Sequence, residues 1–177
     1  MSRDVRRPLP PIDQSALERM ALRYVERYAT TRAKLVQYLT RKLRERGADG
    51  TIDVAGLADR MAELRYVDDR AFAEARATAM ARRGLGPRRV RDALRHAGVG
   101  EDDAGAVADT IDEGALAAAI AFARRRRIGP FAQQQAERDL REKQVGAMVR
   151  AGHSPGLSRA IASLGPDDDI ETLSDRY

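Results

Sequence analysis

The chain has 177 residues, 43% of them hydrophobic and 33% charged, so it has the material for a buried core and is not a disordered segment. Cysteine is absent, which excludes disulfides, thiolate metal ligands and cysteine nucleophiles. No apolar run approaches the roughly 20 residues that span a bilayer, and the opening residues MSRDVRRPLPPID lack the apolar stretch of a secretory leader, so a cytoplasmic protein without membrane contact is expected.

The formal net charge is +5, and the basic residues are almost all arginine, since only Lys34, Lys42 and Lys143 are lysines. Arginine favours planar anions, carboxylate or phosphate, as partners. Aromatic residues make up only 5%, and alanine is abundant. Such a composition suits closely packed helices and makes poor strands.

In chain order, Leu17, Met20, Ala21, Tyr24, Val25 and Tyr28 line one face of a first helix. Leu35, Leu39 and Leu43 recur every four residues ahead of Gly47, in the place of a C-terminal cap glycine. A third helix carries Val54, Leu57, Ala58, Met61 and Leu64. A fourth carries Phe72, Ala75, Ala79 and Met80 and stops at Gly84. The fifth starts at Gly86-Pro87, turns Val90, Leu94 and Ala97 inward and ends at Gly98. The sixth holds Ala104, Val107, Ala108 and Ile111; the seventh holds Leu116, Ala119, Ile120 and Ala123 and runs into RRRRIGP. The eighth passes through Leu140 and Met148 to Gly152, and the ninth starts at Ser154-Pro155 with Leu157, Ile161 and Leu164. No stretch alternates with the period of a strand, so the fold class is all-α.

The sequence also repeats. KLRERG, ALRHAG and AMVRAG each close a helix with an apolar residue four places before a glycine, at Gly47, Gly98 and Gly152, and RRGLGPRRV is echoed by RRRRIGPFA. Nine helices then divide into three tandem three-helix repeats over residues 15–65, 66–112 and 113–164, stacked on shared cores. They are flanked by a flexible N-terminal segment (1–14) and an acidic C-terminal tail (165–177) containing PDDD, for which disorder is the simpler account and neutralisation of a basic face the other.

YVDDRAFA, starting at Tyr66, reads first as structure. Asp68 stands as an N-cap, Asp69 adds negative charge at the positive end of the helix dipole, and Val67 and Phe72 have the spacing of a hydrophobic staple. Adjacent aspartates point apart and have no His or Glu at ligand spacing, so a metal or catalytic carboxylate pair is the lesser reading.

YVDDRAFA, a basic helix end and RRGLGPRRVRDALRHAGV together resemble the central repeat of the RecX family, bacterial regulators of the recombinase RecA. ALRYVERYATTRAKLVQYLTRKLRERG is similar to the family's first repeat and REKQVGAMVRAGHSPGLSRAIAS to its last. The resemblance implies an elongated, curved array of three repeats. It implies binding in the groove of the RecA–DNA filament, inhibition of strand exchange, ATP hydrolysis and co-protease activity, and hence a part in recombination, DNA repair and the SOS response. It implies no catalytic residues and no cofactor.

The arginines are the concentrated polar chemistry. Arg88, Arg91 and Arg95 lie opposite Val90 and Leu94, with Arg89 between; Arg82 and Arg83 close the preceding helix, and Arg124, Arg125, Arg126 and Arg127 do the same in the third repeat. Arg32, Lys34, Arg41, Lys42 and Arg44 decorate the first. Dipole compensation explains the helix ends, whereas the stripe on the fifth helix fits a face for filament carboxylates or DNA phosphates. Asp68, Asp69, Phe72, Pro87 and Gly98 are assigned to capping. No aromatic lies between these arginines, which argues against base stacking. His96 and His153 are too far apart in sequence to suggest a shared metal, and no phosphate-binding loop occurs. A monomer that binds RecA, with a non-specific DNA contact as accessory, is the leading expectation. A helix-turn-helix DNA binder turning at Gly84–Pro87 is the alternative. A small helical enzyme is a third class, for which no nucleophile or base stands out.

Overall fold

A computed structural model describes residues 10–166, 168–174 and 177. Among these the chain is all-α, with α1 (Gln14–Arg27), α2 (Arg32–Arg46), α3 (Val54–Glu63), α4 (Asp69–Arg82), α5 (Pro87–His96), α6 (Glu101–Ala106), α7 (Ala108–Glu113), α8 (Ala115–Arg126), α9 (Arg138–Arg150) and α10 (Pro155–Ser163). Short 3-10 turns cover Gly129–Phe131 and Ile170–Leu173. The sequence led us to expect one helix where α6 and α7 stand. Gly105 and the β-branched Val107 weaken that stretch, and Val107, at φ −107° and ψ 0°, ends one helix and begins the next.

The described residues fall into two compact units. The first runs to Phe72 and includes Ala97–Val99; the second holds Ala73–His96 and everything from Gly100 on. In the first unit, Asp13, Thr31 and Asp53 cap α1, α2 and α3 through side-chain oxygens that accept the amides of Ala16, Lys34 and Gly56. Leu17 and Ala21, Leu35 and Leu39, and Leu57, Ala58 and Met61 turn inward from the three helices and meet Ile12 and Val67 in one core. Full burial of each such leucine is worth about 1.5–3 kcal/mol. Ile12 is completely buried, and its backbone bonds to the Gly47 carbonyl and the Asp49 amide at 2.9 Å each, so the core of this unit takes in a residue ahead of α1 that was expected to be flexible.

In the second unit α4 buries Ala73, Ala77 and Met80, and leaves Ala75 and Ala79 exposed. The inward face therefore differs from the one expected; an alanine-rich helix is apolar on both sides, and pattern alone does not choose. Val90 and Leu94 of α5 are buried, as is Ala97 beyond it in the first unit. A larger core joins Ala119, Phe122 and Ala123 of α8, Val145 and Met148 of α9, and Leu157, Ile161 and Ala162 of α10. Leu173 is buried in the same core and Ile170 packs against it, so the segment after Gly165 is not the disordered tail that its aspartates suggested. Asp168 and Asp169 instead accept the amides of Gly165 (2.6 Å) and Glu171 (2.8 Å) and shape its turns.

Three-helix groupings recur with one kind of helix ending. Tyr66, Leu85, Ile128 and His153 donate their amides to the carbonyls of Met61, Met80, Ala123 and Met148, five residues back, closing α3, α4, α8 and α9. The residue before each donor has positive φ: Arg65 (63°), Gly84 (71°), Arg127 (53°) and Gly152 (99°). Two of these left-handed caps are arginines, so glycine alone does not reveal the repeat.

Candidate functional site

The two central aspartates have different partners. Asp68 Oδ1 accepts the Ala71 amide at 2.8 Å, the geometry of an N-cap on α4, and Oδ2 lies 3.3 Å from Arg65 Nη1. Asp69 Oδ1 accepts the amide of Arg32, the first residue of α2, at 2.8 Å. Both carboxylates thus serve helix starts, on two helices. Phe72 is half-buried under Lys34, whose Nζ lies 5.4 Å from its ring centroid.

Gly84 to Pro87 is a fixed joint within the second unit. The Gly86 amide bonds to the Ala151 carbonyl (2.9 Å), the Arg88 amide to the Gly152 carbonyl (3.2 Å), and His153 Nε2 to the Gly84 carbonyl (3.0 Å). His153 is 3% exposed; burial lowers its pKa, partly opposed by the bond to Gly84, and its Nδ1 has no protein partner among the described residues. Pro87 starts α5 at the first helical position, where its missing N–H costs nothing. Gly98, at φ 71°, lies so close to Ala33 that a Cβ would collide with it. Because the backbone at the α5 N-terminus is packed against residues 151–153, this end is poorly disposed to enter a DNA groove as a recognition helix does.

All ten candidate arginines are exposed. Two are paired: Arg91 Nη2 lies 2.5 Å from Asp112 Oδ1, and Arg95 Nη1 3.0 Å from Asp92 Oδ1. Arg124 and Arg126 lie over the rings of Phe131 and Phe122, at 5.2 and 5.8 Å. Among the described residues the other eight have no carboxylate within 4.0 Å, so Arg82, Arg83, Arg88, Arg89, Arg124, Arg125, Arg126 and Arg127 present unneutralised charge. Arg89 also packs its aliphatic stem against Gly152, where an added Cβ would fall 2.7 Å from Arg89 Cγ.

A cluster of three aromatic rings stands among cations in the first unit. Tyr24 and Tyr38 stack with centroids 4.1 Å apart, and Tyr28 leans on Tyr24 at 5.2 Å. Arg23, Arg27 and Arg41 share a surface cavity of about 400 Å³ with these rings. RYVERY carries the signal on α1, an Arg-Tyr pair repeated four residues on, but its α2 partner Tyr38 is joined to it only by folding.

Among the described residues no group of three or more His, Asp or Glu is placed to hold a metal, and no helix is long and apolar enough to cross a membrane. Residues 68–107 match the family model described as RecX, second three-helix domain. The chain is 31% identical to the regulatory protein RecX of Myxococcus xanthus over 166 residues, covering 88% of each chain. It is 33% identical to that of Thermobifida fusca over 140 residues, covering 78% of this chain and 72% of the relative. The crystal structure of RecX from Lactobacillus salivarius shares the fold, with a TM-score of 0.63 at 19% identity over 83% of this chain and 92% of that one. Both relatives bear the name of a regulatory protein, and the matches along most of its length, with the shared fold of repeated three-helix groupings, place this chain in the RecX family.

Proposed function

We propose that this protein binds the RecA–DNA filament and restrains it, lowering strand exchange, ATP hydrolysis and co-protease activity without chemistry of its own. It works as a cytoplasmic monomer of three tandem repeats. The supporting observation is the set of exposed arginines around the Gly84–Pro87 joint, where Arg82, Arg83 and Arg88 have no carboxylate partner among the described residues while the apolar side of α5 is buried. Because the backbone of the joint is already fixed, a guanidinium beside it meets a filament carboxylate or phosphate with no further cost of ordering the loop, which favours a persistent contact over diffuse attraction.

Arg91 is a poor probe of this face, since its change also frees Asp112. The test is therefore Arg82→Ala, Arg83→Ala and Arg88→Ala together, against an equal charge loss at Arg3, Arg6 and Arg7, which lie outside the described residues. After circular dichroism shows equal helicity, inhibition of RecA's DNA-dependent ATPase is titrated with each. The joint variant needs a concentration higher by about tenfold or more for half-inhibition, given contacts that each neutralise one charge. The N-terminal variant stays near the parent. Inhibition by the joint variant equal to the parent's removes the arginines from the interface.

A further inference from the structure

We propose that the α1–α2 surface of the first unit is a site for single-stranded nucleic acid that acts without RecA, an unpaired base stacking on Tyr28 and the neighbouring phosphates meeting Arg23, Arg27 and Arg41. The proposal does not rest on the filament reading and concerns a different unit of the molecule.

Only five tyrosines occur in the chain, and three of them meet here. Tyr24 and Tyr38 stack at an interplanar angle of 14° and are half-buried, which makes a rigid floor. Tyr28 is tilted 48° from Tyr24 and is 48% exposed, so much of its ring contributes nothing to the core. Guanidinium carbons lie 5.5 Å from the Tyr28 ring (Arg27) and 5.8 Å from the Tyr38 ring (Arg41). Arg41 shares Glu45 with Lys42 at 3.7 Å, whereas Arg23 and Arg27 have no carboxylate within 4.0 Å among the described residues.

The combination selects its occupant. Exposed rings offer a face to any base, and arginines beside them offer charge to the linking phosphates, the pairing used by sequence-tolerant single-strand binders. A duplex hides its base faces in its own stack, and an acidic peptide would satisfy the arginines while leaving the Tyr28 ring unused. The cavity of about 400 Å³ opens to solvent rather than enclosing a small molecule, so a base can enter it while the rest of its strand stays outside.

The full-length protein is titrated into fluorescein-labelled oligothymidine at low salt without RecA, and anisotropy is read beside the protein's tyrosine emission. Binding saturates and quenches that emission. Tyr28→Ala weakens binding by about 5- to 150-fold, the range for loss of one stacked base. Tyr28→Phe stays within about twofold, because the ring does the work. Both keep the fold, since Tyr28 closes α1 through its backbone amide and its ring lies outside the core of this unit. Joint Arg23→Ala and Arg27→Ala flattens the salt dependence by about 0.7 per contact, and Tyr66→Ala, an exposed ring elsewhere, behaves as the parent. The site is overturned if the parent shows no saturable binding, if Tyr28→Ala equals the parent, or if Tyr28→Phe falls as far as Tyr28→Ala. It is equally overturned if a duplex or polyglutamate of matched charge displaces the strand as well as unlabelled oligothymidine does. With RecA absent, failure here leaves the filament reading standing, and failure of the ATPase test leaves this site standing.

Discussion

Asp68 illustrates how a residue with the appearance of chemistry is used up by structure. Its Oδ1 holds the Ala71 amide, so Asp68→Ala should lower stability by about 0.5–2 kcal/mol. Asp68→Asn should cost less, and filament binding at low temperature should survive both; denaturant melts beside a binding assay check this. Thr31 is more demanding, because its fully buried hydroxyl accepts the Lys34 amide (3.2 Å) and donates to the Ala97 carbonyl (2.5 Å). Thr31→Val keeps the shape and strands both groups, for an expected loss of about 2–4 kcal/mol in the same melts. Thr31→Ser should recover most of it. His153 adds a pH dependence. Its folded pKa lies below the ordinary 6.5 because it is buried, so between the two values the unfolded chain binds the extra proton. Its contribution is therefore complete above about pH 6.5 and is lost as the pH falls through the lower folded value. His153→Gln, which can keep a donor for the Gly84 carbonyl, should reduce the drop in melting temperature between about pH 6.5 and 5; an unchanged drop would assign that acid sensitivity to other groups.

At the level of elements, glycines that look alike in sequence are expected to respond differently. Gly47 and Gly84 both have positive φ, at 83° and 71°. Around Gly47 there is open space, but its φ of 83° and ψ of 154° lie in a region essentially reserved for glycine, so Gly47→Ala should cost about 1–3 kcal/mol of backbone strain alone. A Cβ at Gly84 would fall 2.7 Å from the Phe122 backbone nitrogen, and main chain cannot swing aside, so Gly84→Ala should cost about 3 kcal/mol or more. Thermal melts of the two variants decide it, and equal losses would mean that α8 shifts to make room. Helix positions were legible wherever leucine, valine or isoleucine recurred with helical spacing, as in Leu35 and Leu39 or Val90 and Leu94. They were less so where alanine dominated. The inward face of α4 is Ala73, Ala77 and Met80, and nothing in a run of alanines distinguishes that face from Ala75 and Ala79. The C-terminal turn was hidden differently: its aspartates suggested solvent, while Ile170 and Leu173 supply the anchor three residues apart.

For the whole molecule, the all-α class and the three-helix periodicity were readable because Gly47, Gly98 and Gly152 mark helix ends at regular intervals. The excess of arginine was readable as composition, but which arginines are paired was not, since Arg91 meets Asp112 only through the fold. The Tyr24, Tyr28 and Tyr38 cluster was missed for the same reason: two helices have to come together before it exists. How the units divide was not readable either. Residues 66–72 and Ala97–Val99 belong to the first compact unit, while Ala73–His96 and the residues from Gly100 belong to the second. A fragment of residues 66–113 therefore takes pieces of two cores and completes neither. Three of its nine buried hydrophobic residues among the described ones are alanines, Ala73, Ala77 and Ala97, which release little apolar area on exposure. In isolation it should show weak helicity and a broad, non-cooperative melt, whereas the full chain should unfold with a defined transition. Circular dichroism of both across temperature tests this, and a sharp transition for the fragment would mean that the central repeat carries a sufficient core of its own.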